Sequence, residues 1–419
     1  MSSNCTVSEA IPNDFDKDIV WLNANITNES NNDNVVTCKI TDLSDAGGLS
    51  GASMFKIQLD RDSGQSQSLV CKIIPKNLQE RSKNLGQPRE SIFYESFSSK
   101  LKNIGMSIPN YYYCYGDMLT GEKQIILQDL SDCIQSGYFF GDYSPHNWDK
   151  DLNTLILPCN EILVTPLSEQ EWIETITSKA FSEAAKLHST FWKSEDYFKL
   201  DWLRSADWML GKNEETWQAS QETAVNYWKN TKEKIKTKAD YTVIWSPLVI
   251  ECIESSLSKI SWTDYQETIT TRQWTLVHGD FHPANMMWKP LVSDDNTKVS
   301  GLLYLLDWEM VGFGSGPQDL AQFFISHVSS EARRSCELKL LREYYDAILT
   351  LNETITNENF SWADCKRDYS HGGAERWIWL LPLLAEMCPD KMVQFFHDQL
   401  KEFIEDHNLN ASNIGMPRV

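Results

Sequence analysis

The sequence predicts an α+β protein in which a small β-rich part is followed by a larger, mostly helical part. Near the N-terminus, short apolar runs suited to strands lie at 35–40, 53–59 and 68–74. Beyond residue 172, apolar residues recur every three or four positions over long stretches, which is the period of an amphipathic helix. The 419 residues are enough for two parts, each with a core of its own.

The expected elements follow one another along the chain. Residues 1–35 form an Asn- and Ser-rich N-terminal extension, and a further strand-like run lies at 123–130. Residues 131–168 are loop-rich, and the first long helix begins near Trp172. Further helices are predicted at 208–237, 248–260, 319–327, 331–349, 374–387 and 390–407. We therefore expect one domain over residues 1–128 and a second over residues 129–419.

The charge and the cysteines of the chain exclude several classes of protein. With 59 acidic and 38 basic residues the formal net charge is -21, which argues against binding to nucleic acid or to an anionic membrane. A cationic substrate and simple solubility both fit this acidic excess. We find no signal peptide and no apolar run that could span a bilayer, and the ten scattered cysteines suit reduced thiols. We expect a cytoplasmic protein without an obligate protein partner.

The eight residues at 278–285, HGDFHPAN, carry the strongest chemical signal. Asp280 and Asn285 lie five positions apart, so one short loop presents a carboxylate and an amide together. A phosphoryl transfer requires an oriented hydroxyl, a positioned nucleotide and neutralised charge. Asp280 would act on the hydroxyl as the catalytic base, and Asn285 would supply a hard oxygen ligand for Mg²⁺. The loop therefore predicts a kinase that phosphorylates a small-molecule alcohol.

A second acidic group follows the loop at Asp307. Between the two, apolar runs flank the turn-rich segment 293–298, which is typical of a β-hairpin. The return strand would bring Asp307 beside Asn285 as a second metal ligand. His278 is expected to brace the backbone of the loop, and Asp319 to support the same loop through hydrogen bonds.

An upstream lysine predicts a contact with nucleotide phosphates. Lys72 interrupts the apolar run 68–74, and a charged side chain within such a run requires a partner. Glu90, on a helix predicted at 88–97, would complete the Lys–Glu ion pair that kinases use beside the phosphates. An exposed strand edge, or Glu95 as the partner, are the alternatives.

A glycine-rich segment at 45–53 is a weaker nucleotide signal. Backbone amides near Gly48, Gly51 and Ser53 would approach phosphate oxygens closely, because glycine adds no side chain there. A simple hairpin turn has the same composition, so this prediction depends on the downstream loop.

The stretches LVHGDFHPANMMW and LLDWEMVGFGSGPQDLA resemble the aminoglycoside phosphotransferase and choline kinase-like superfamily, and look most like its ecdysteroid kinase-like branch. Choline kinases usually carry Asn where this chain has Gly279. The resemblance implies a bilobal protein kinase-like fold with ATP and Mg²⁺ as cofactors, bound between a nucleotide-binding lobe and a catalytic lobe. It also implies a hinge that meets adenine, where Gln128 replaces the usual Glu and Leu130 follows.

Two other functions fit parts of the sequence. A non-catalytic relative would bind nucleotide without transferring phosphate. His278 and Asp280 also form the H-x-D half of an iron site with two histidines and one carboxylate, with His327 or His371 as the third ligand. Such iron sites normally lie in all-β barrels, whereas the segments around this motif are helical.

The motif does not specify the alcohol that accepts the phosphate. A cationic or amphipathic alcohol would suit a wall of Tyr369, Trp377, Trp379 and Glu375, because aromatic rings attract ammonium groups. The same residues fit the buried stripe of a helix. A choline-like alcohol, an aminoglycoside-like sugar, a steroid alcohol and a hydroxylated acyl derivative are all compatible with the sequence. His282 either touches the substrate or phosphate, or is structural.

Overall fold

The computed structural model describes residues 17–26, 33–43, 51–161, 167–237, 239–291 and 300–418. The chain divides into two compact units. The first contains residues 1–133 together with Tyr304–Val311, and the second contains residues 134–303 together with residues 312–419. The division follows Cys133 rather than residue 128, and the return of Tyr304–Val311 to the first unit is not foreseen by the sequence.

The first unit is built on a five-stranded antiparallel sheet with the strand order β1-β2-β3-β5-β4. The strands are Val35–Asp42 (β1), Ser53–Arg61 (β2), Ser66–Ile73 (β3), Tyr111–Asp117 (β4) and Glu122–Gln128 (β5). Helices Ile19–Asn25 (α1), Gln79–Leu85 (α2) and Arg89–Asn103 (α3) pack with this sheet. The strands predicted at 35–40, 53–59 and 68–74 are thus confirmed, with ends shifted by a few residues.

Alternation along β3 decides where its lysine lies. Leu69 and Cys71 are buried in the core of the first unit. Because successive side chains of a strand point to opposite faces of the sheet, Lys72 lies on the other face. The register pairs Lys72 with Met54 on β2. The first turn of α3 supplies Glu90 on the same side as Lys72.

The segment Tyr304–Val311 packs with the first unit through the buried side chain of Trp308. The ring of Trp308 stacks on that of Phe93 in α3, with 4.0 Å between centroids and 14° between planes. Both side chains are fully buried. This packing anchors the acidic residues on either side of Trp308 within the first unit.

The second unit is mostly helical. Its helices are Leu152–Glu161 (α4), Glu169–Thr190 (α5), Ala206–Met209 (α6), Glu214–Thr237 (α7), Pro247–Ser258 (α8), Trp262–Thr271 (α9), Gly316–His327 (α10), Ser330–Leu351 (α11), Trp362–Met387 (α12) and Asp390–Asp406 (α13). Every residue of α10 is buried, so this helix forms the centre of the unit. The predicted α+β class is confirmed.

Short strands lie on either side of the motif loop along the chain, and all of their residues except Tyr304 and Leu305 belong to the second unit. Thr275–Val277 (β7) pairs with Gly312–Gly314 (β10), and Ile134–Gln135 (β6) neighbours Met286–Leu291 (β8), which in turn neighbours Ser300–Leu305 (β9). The predicted hairpin is therefore present as β8 and β9. Its turn, predicted at 293–298, lies outside the described residues.

Two predicted helices differ from the observed ones for local reasons. The helix expected over 208–237 is interrupted before α7, where Gly211 and Asn213 have positive φ values of 68° and 55°.

Helix α12 begins at Trp362, well before residue 374, where the sequence predicts its start. A pair of glycines inside it lets α10 approach closely, because a Cβ on Gly373 would lie 2.3 Å from that of Ala321.

No helix in the described ranges is long and apolar enough to cross a membrane.

Candidate active site

The motif loop leaves β7 and is held from below by a buried carboxylate. Asp319, in the first turn of α10, accepts hydrogen bonds from the backbone N–H groups of His278 at 2.8 Å and Gly279 at 3.1 Å. His188 Nε2 lies 3.3 Å from the same carboxylate. Gly279 has φ of 80°, a conformation that favours glycine at this turn. The loop backbone is thus fixed by Asp319, as the sequence predicts for a supporting residue.

The side chain of Asp280 projects from this braced loop with 40% of its surface exposed. Asn285 donates from Nδ2 to Asp280 Oδ2 at 3.0 Å, and Gln322 donates from Nε2 to Oδ1 at 2.9 Å. His282 Nε2 lies 3.4 Å from Oδ2. Burial opposes ionisation of this carboxyl, but its electrostatic interactions with His282, His278 and Arg376 and its hydrogen bond with His282 hold its pKa well below the usual range. Asp280 is therefore an ionised, oriented carboxylate.

The amide of Asn285 is oriented by the same contacts. Its Nδ2 also donates to the backbone carbonyl of Asp280 at 3.0 Å. With both donor contacts on the loop, the remaining oxygen, Oδ1, is the atom that could serve as a metal ligand. His278 is 1% exposed, and its Nδ1 accepts from the backbone N–H of Asp280 at 3.3 Å, which fits a brace.

Lys72 lies at the centre of an ion-pair cluster in the first unit. Its Nζ is 2.9 Å from Glu90, 3.1 Å from Glu309 and 3.6 Å from Asp307. Burial alone would lower the pKa of Lys72, but these carboxylates raise it well above the ordinary value. The predicted Lys72–Glu90 pair is present, and neither an exposed strand edge nor Glu95 replaces it.

Sequence reasoning missed two members of this cluster, Lys123 and Glu309. Lys123, on β5, is completely buried and contacts Glu90 and Glu309, the latter at 2.5 Å. Burial opposes the charge on Glu90, yet the two lysines lower its pKa to about 2. The spacing Asp-Trp-Glu was a usable signal for Glu309, because both acids flank one buried Trp. A signal for Lys123 was its place at the start of the strand-like run 123–130.

Of the three acids in the cluster, Asp307 makes the longest contact with Lys72. It adopts a left-handed conformation with φ of 61°, and 34% of its side chain is exposed. Burial raises the pKa of Asp307 to about 7, with Glu309 and Glu90 adding to the effect and Lys72 opposing it. A group of this kind favours a bound cation, because a cation would hold it ionised.

The carboxylate oxygens of Glu90, Asp307 and Glu309 lie within 4.8 Å of one another. Within the described parts of the chain, no other set of three or more His, Cys, Asp or Glu residues converges in this way. The H-x-D pair of the motif is therefore not completed by a third ligand, and the iron-site alternative finds no support. His371 instead contacts Ser370 at 3.2 Å.

Four of the remaining residues predicted to contact nucleotide lie in the described part of the first unit. Gly51 has φ of 74°, and Ser53 begins β2. Gln128 ends β5, where its Oε1 accepts from the backbone N–H of Asn110 at 3.3 Å, and Leu130 is buried. Gly48 lies outside the described residues. The contacts of these residues with nucleotide, and the proximity of Asp307 to Asn285, stay predictions.

Two of the three aromatic residues in the suggested wall of α12 are core packing. The third, Trp379, is partly exposed and donates from Nε1 to the backbone carbonyl of Ser220 at 3.3 Å. Tyr369 and Trp377 are each 1% exposed; Tyr369 donates to Glu337 and Trp377 packs on Phe396. Glu375 instead forms an ion pair with Arg418 at 2.6 Å.

His282 lies in a stack of rings beside Asp280. Its ring lies over that of His327, with 4.8 Å between centroids and 14° between planes, and His146 stacks on the far side at 6.5 Å. Burial and the neighbouring histidines hold the pKa of His327 well below its usual value.

A family model described as DUF1679, "Uncharacterized oxidoreductase dhs-27", matches residues 217–411, which include the motif loop and α10. That family is ecdysteroid kinase-like. The chain is similar to the aminoglycoside phosphotransferase and choline kinase-like superfamily. The predicted resemblance to this superfamily is thus confirmed, although the matched region is slightly less than half of the chain. A comparison with curated proteins finds no match.

Solved structures of kinases in this superfamily are similar at low scores. Choline kinase LicA from Streptococcus pneumoniae is 14% identical, with 88% of this chain and 93% of that chain covered and a TM-score of 0.44. The ethanolamine kinase of Plasmodium vivax is 11% identical, with coverages of 89% and 82% and a TM-score of 0.41. A choline/ethanolamine kinase family protein from Mesorhizobium loti is 12% identical, with 88% of each chain covered and a TM-score of 0.41. At such scores, what those enzymes phosphorylate is not transferred to this chain.

Proposed function

We propose that this protein is an ATP- and Mg²⁺-dependent phosphotransferase that phosphorylates a hydroxyl group of a small molecule. The observation that carries the proposal is the environment of Asp280. A carboxylate that is ionised, 40% exposed and oriented by Asn285 and Gln322 has the properties required of a base that positions a hydroxyl. Purely structural carboxylates, such as Asp319, are instead buried and fully engaged.

The cluster around Lys72 supports a nucleotide-binding role for the first unit. Three carboxylates hold Lys72 in one position, and Lys123 in turn contacts two of them, so the ammonium group of Lys72 is ready to neutralise phosphate charge without reorganisation. Glu90 fixes Lys72 in the manner that the kinase ion pair requires.

Asp307 and the Oδ1 atom of Asn285 are the groups that would hold Mg²⁺. Both are hard oxygen ligands, and Asp307 is the acid of its cluster that is farthest from Lys72. When bound, Mg²⁺ supplies neutralisation of the phosphate charge. The protein's own residues then act as follows: Lys72 binds phosphate oxygens, and Asp280 orients the acceptor hydroxyl and takes its proton.

The proposal is tested by incubating the protein with magnesium-ATP and a mixture of alcohols, and following ADP release and the gain of one phosphate in mass. Asp280→Asn should reduce the rate by about 10²–10⁴-fold, because the proton acceptor is lost. The rise in melting temperature that ATP causes should persist in this variant. Asp201→Asn, an exposed aspartate of the second unit, is the matched control and should leave the rate unchanged.

Other outcomes would favour other functions. An unchanged rate in Asp280→Asn would refute the assigned base. A rise in melting temperature with ATP, without phosphate transfer to any alcohol, would favour a non-catalytic nucleotide-binding protein. Stoichiometric bound iron without any effect of ATP would overturn the phosphotransferase assignment. Oxidation of an alcohol coupled to the reduction of added NAD⁺ or NADP⁺ would instead support the oxidoreductase named in the family description.

A further inference from the structure

The second unit contains a cavity of about 440 Å³ that the proposed mechanism does not use. It lies among α7, α9, strand β10, Trp274 and the residues 415–418. A volume of this size suits a small organic molecule rather than a few water molecules.

The walls of the cavity are largely aromatic. Trp217 and Tyr265 face each other with 5.3 Å between ring centroids, and Trp274 meets Phe313 edge to face at 5.8 Å. Trp208 completes a set of five aromatic side chains in the lining. Rings in such number bury the apolar body of a ligand and prefer flat or cyclic partners.

The charges around the cavity cancel. Three basic and three acidic side chains contribute to the lining: Lys259, Arg272, Arg418, Asp264, Glu267 and Glu375. Arg418 and Glu375 neutralise each other in an ion pair of 2.6 Å. Sites for quaternary ammonium groups combine aromatic rings with a negative or neutral surround, whereas two arginines in this lining disfavour a cation. The cavity is therefore suited to a neutral ligand.

Polar atoms in the lining can meet a few polar groups of such a ligand. Gln221 and Ser315 are 2% and 6% exposed, and Gln221 Oε1 and Ser315 Oγ have no hydrogen-bond partner among the described residues. A buried polar atom without a partner costs about 1–3 kcal/mol. A hydroxyl group on a ligand could satisfy either atom.

Two helices connect the cavity with the catalytic loop. On α10, Gln318 lines the cavity, and Gln322, four residues later, donates to Asp280 Oδ1. Four residues advance a helix by about 6 Å. On α12, Glu375 lines the cavity, and the next residue, Arg376, approaches the carbonyl of Gly279 at 3.5 Å.

From these observations we propose that the cavity is the acceptor site, and that it binds a neutral alcohol with a largely apolar, ring-containing body. This inference rests on the proposed phosphotransferase function. The acidic composition of the chain made a cationic acceptor plausible. We infer a neutral acceptor instead, because the local charge of the cavity, not the net charge of the chain, acts on the ligand.

Binding is tested by isothermal titration calorimetry without nucleotide, using 2-(2-naphthyl)ethanol as the neutral ring alcohol and choline as the cationic one. We expect saturable binding of the naphthyl alcohol and at least tenfold weaker binding of choline. Ile269→Trp places an indole at a half-buried lining position and should weaken the naphthyl alcohol at least tenfold. Thr270→Trp adds the same indole to an exposed neighbouring position of α9 and should leave binding unchanged.

The two variants also separate this inference from the proposed function. Equal binding to wild type and Ile269→Trp, or tighter binding of choline, would overturn the cavity assignment. If wild type and Ile269→Trp transferred phosphate to an alcohol at the same rate, the cavity assignment would also be overturned, while the phosphotransferase function would stand. If Ile269→Trp abolished binding of the naphthyl alcohol but no alcohol received phosphate, the cavity would be supported as a binding site for a neutral ring alcohol, and the phosphotransferase function would be refuted.

Discussion

Replacement of Asp319 by alanine should destabilise the protein strongly, because this carboxylate is the buried support of the catalytic loop. It is 2% exposed and accepts hydrogen bonds from two backbone N–H groups, with His188 as a third contact. Each buried donor left without a partner costs about 1–3 kcal/mol, and bonds to a charged acceptor lie at the upper end of that range. Two orphaned backbone donors therefore predict a loss of about 3–5 kcal/mol in the free energy of unfolding.

The loss is measured by chemical and thermal denaturation of the full-length protein. For a domain of this size, about 3–5 kcal/mol corresponds to a fall in melting temperature of roughly 6–15 °C. Asp319→Asn keeps one side-chain oxygen as an acceptor and should show about half of the loss. Asp346→Ala is the matched control: its side chain is 53% exposed in a surface ion pair with Arg342, worth only about 0.3–0.5 kcal/mol.

One result would refute this reasoning. If Asp319→Ala lost less than about 1 kcal/mol, or no more than Asp346→Ala, the loop would be held by other contacts, and the hydrogen bonds of Asp319 would not be its main support.

Three further predictions concern titratable side chains. Lys123→Met should lower the free energy of unfolding by about 3–5 kcal/mol, because Glu90 and Glu309 lose a buried partner; a loss below 1 kcal/mol in urea denaturation would contradict this. The pKa of Asp307 is raised to about 7 in the folded protein, so the folded chain binds this proton more tightly than the unfolded chain does. The resulting contribution to the free energy of unfolding is fully present below pH 4 and is lost as pH rises through 7. Without Mg²⁺ or nucleotide, Asp307→Asn should therefore raise the melting temperature at pH 8 but not at pH 4, and equal shifts at both values would argue against it. The lowered pKa of His327 means that the unfolded chain binds more protons below pH 6.5, so stability should fall between pH 7 and pH 5, and His327→Phe should reduce that slope. An unchanged slope in denaturation series would show that other groups cause it.

The sequence by itself determined much of the fold and part of the site, because those features depend on local periodicity. The early strands, the long helix α5 and the β8–β9 hairpin follow from alternation and from the helical period. The motif loop placed Asp280 and Asn285 together because five residues of one loop cannot separate them. The Lys72–Glu90 pair was also predictable, since a lysine inside an apolar strand requires a nearby acid.

Only the tertiary structure decided which distant residues join these local features. Lys123 and Glu309 are separated by 186 positions, and no periodicity relates them; they meet because Trp308 packs on α3. The acceptor cavity likewise gathers side chains from helices, strand ends and the residues 415–418, so its neutral charge differs from the net charge of -21 that the sequence reports. Composition averages charge over the whole chain, whereas a ligand experiences the charges within a few ångströms, and folding alone selects those.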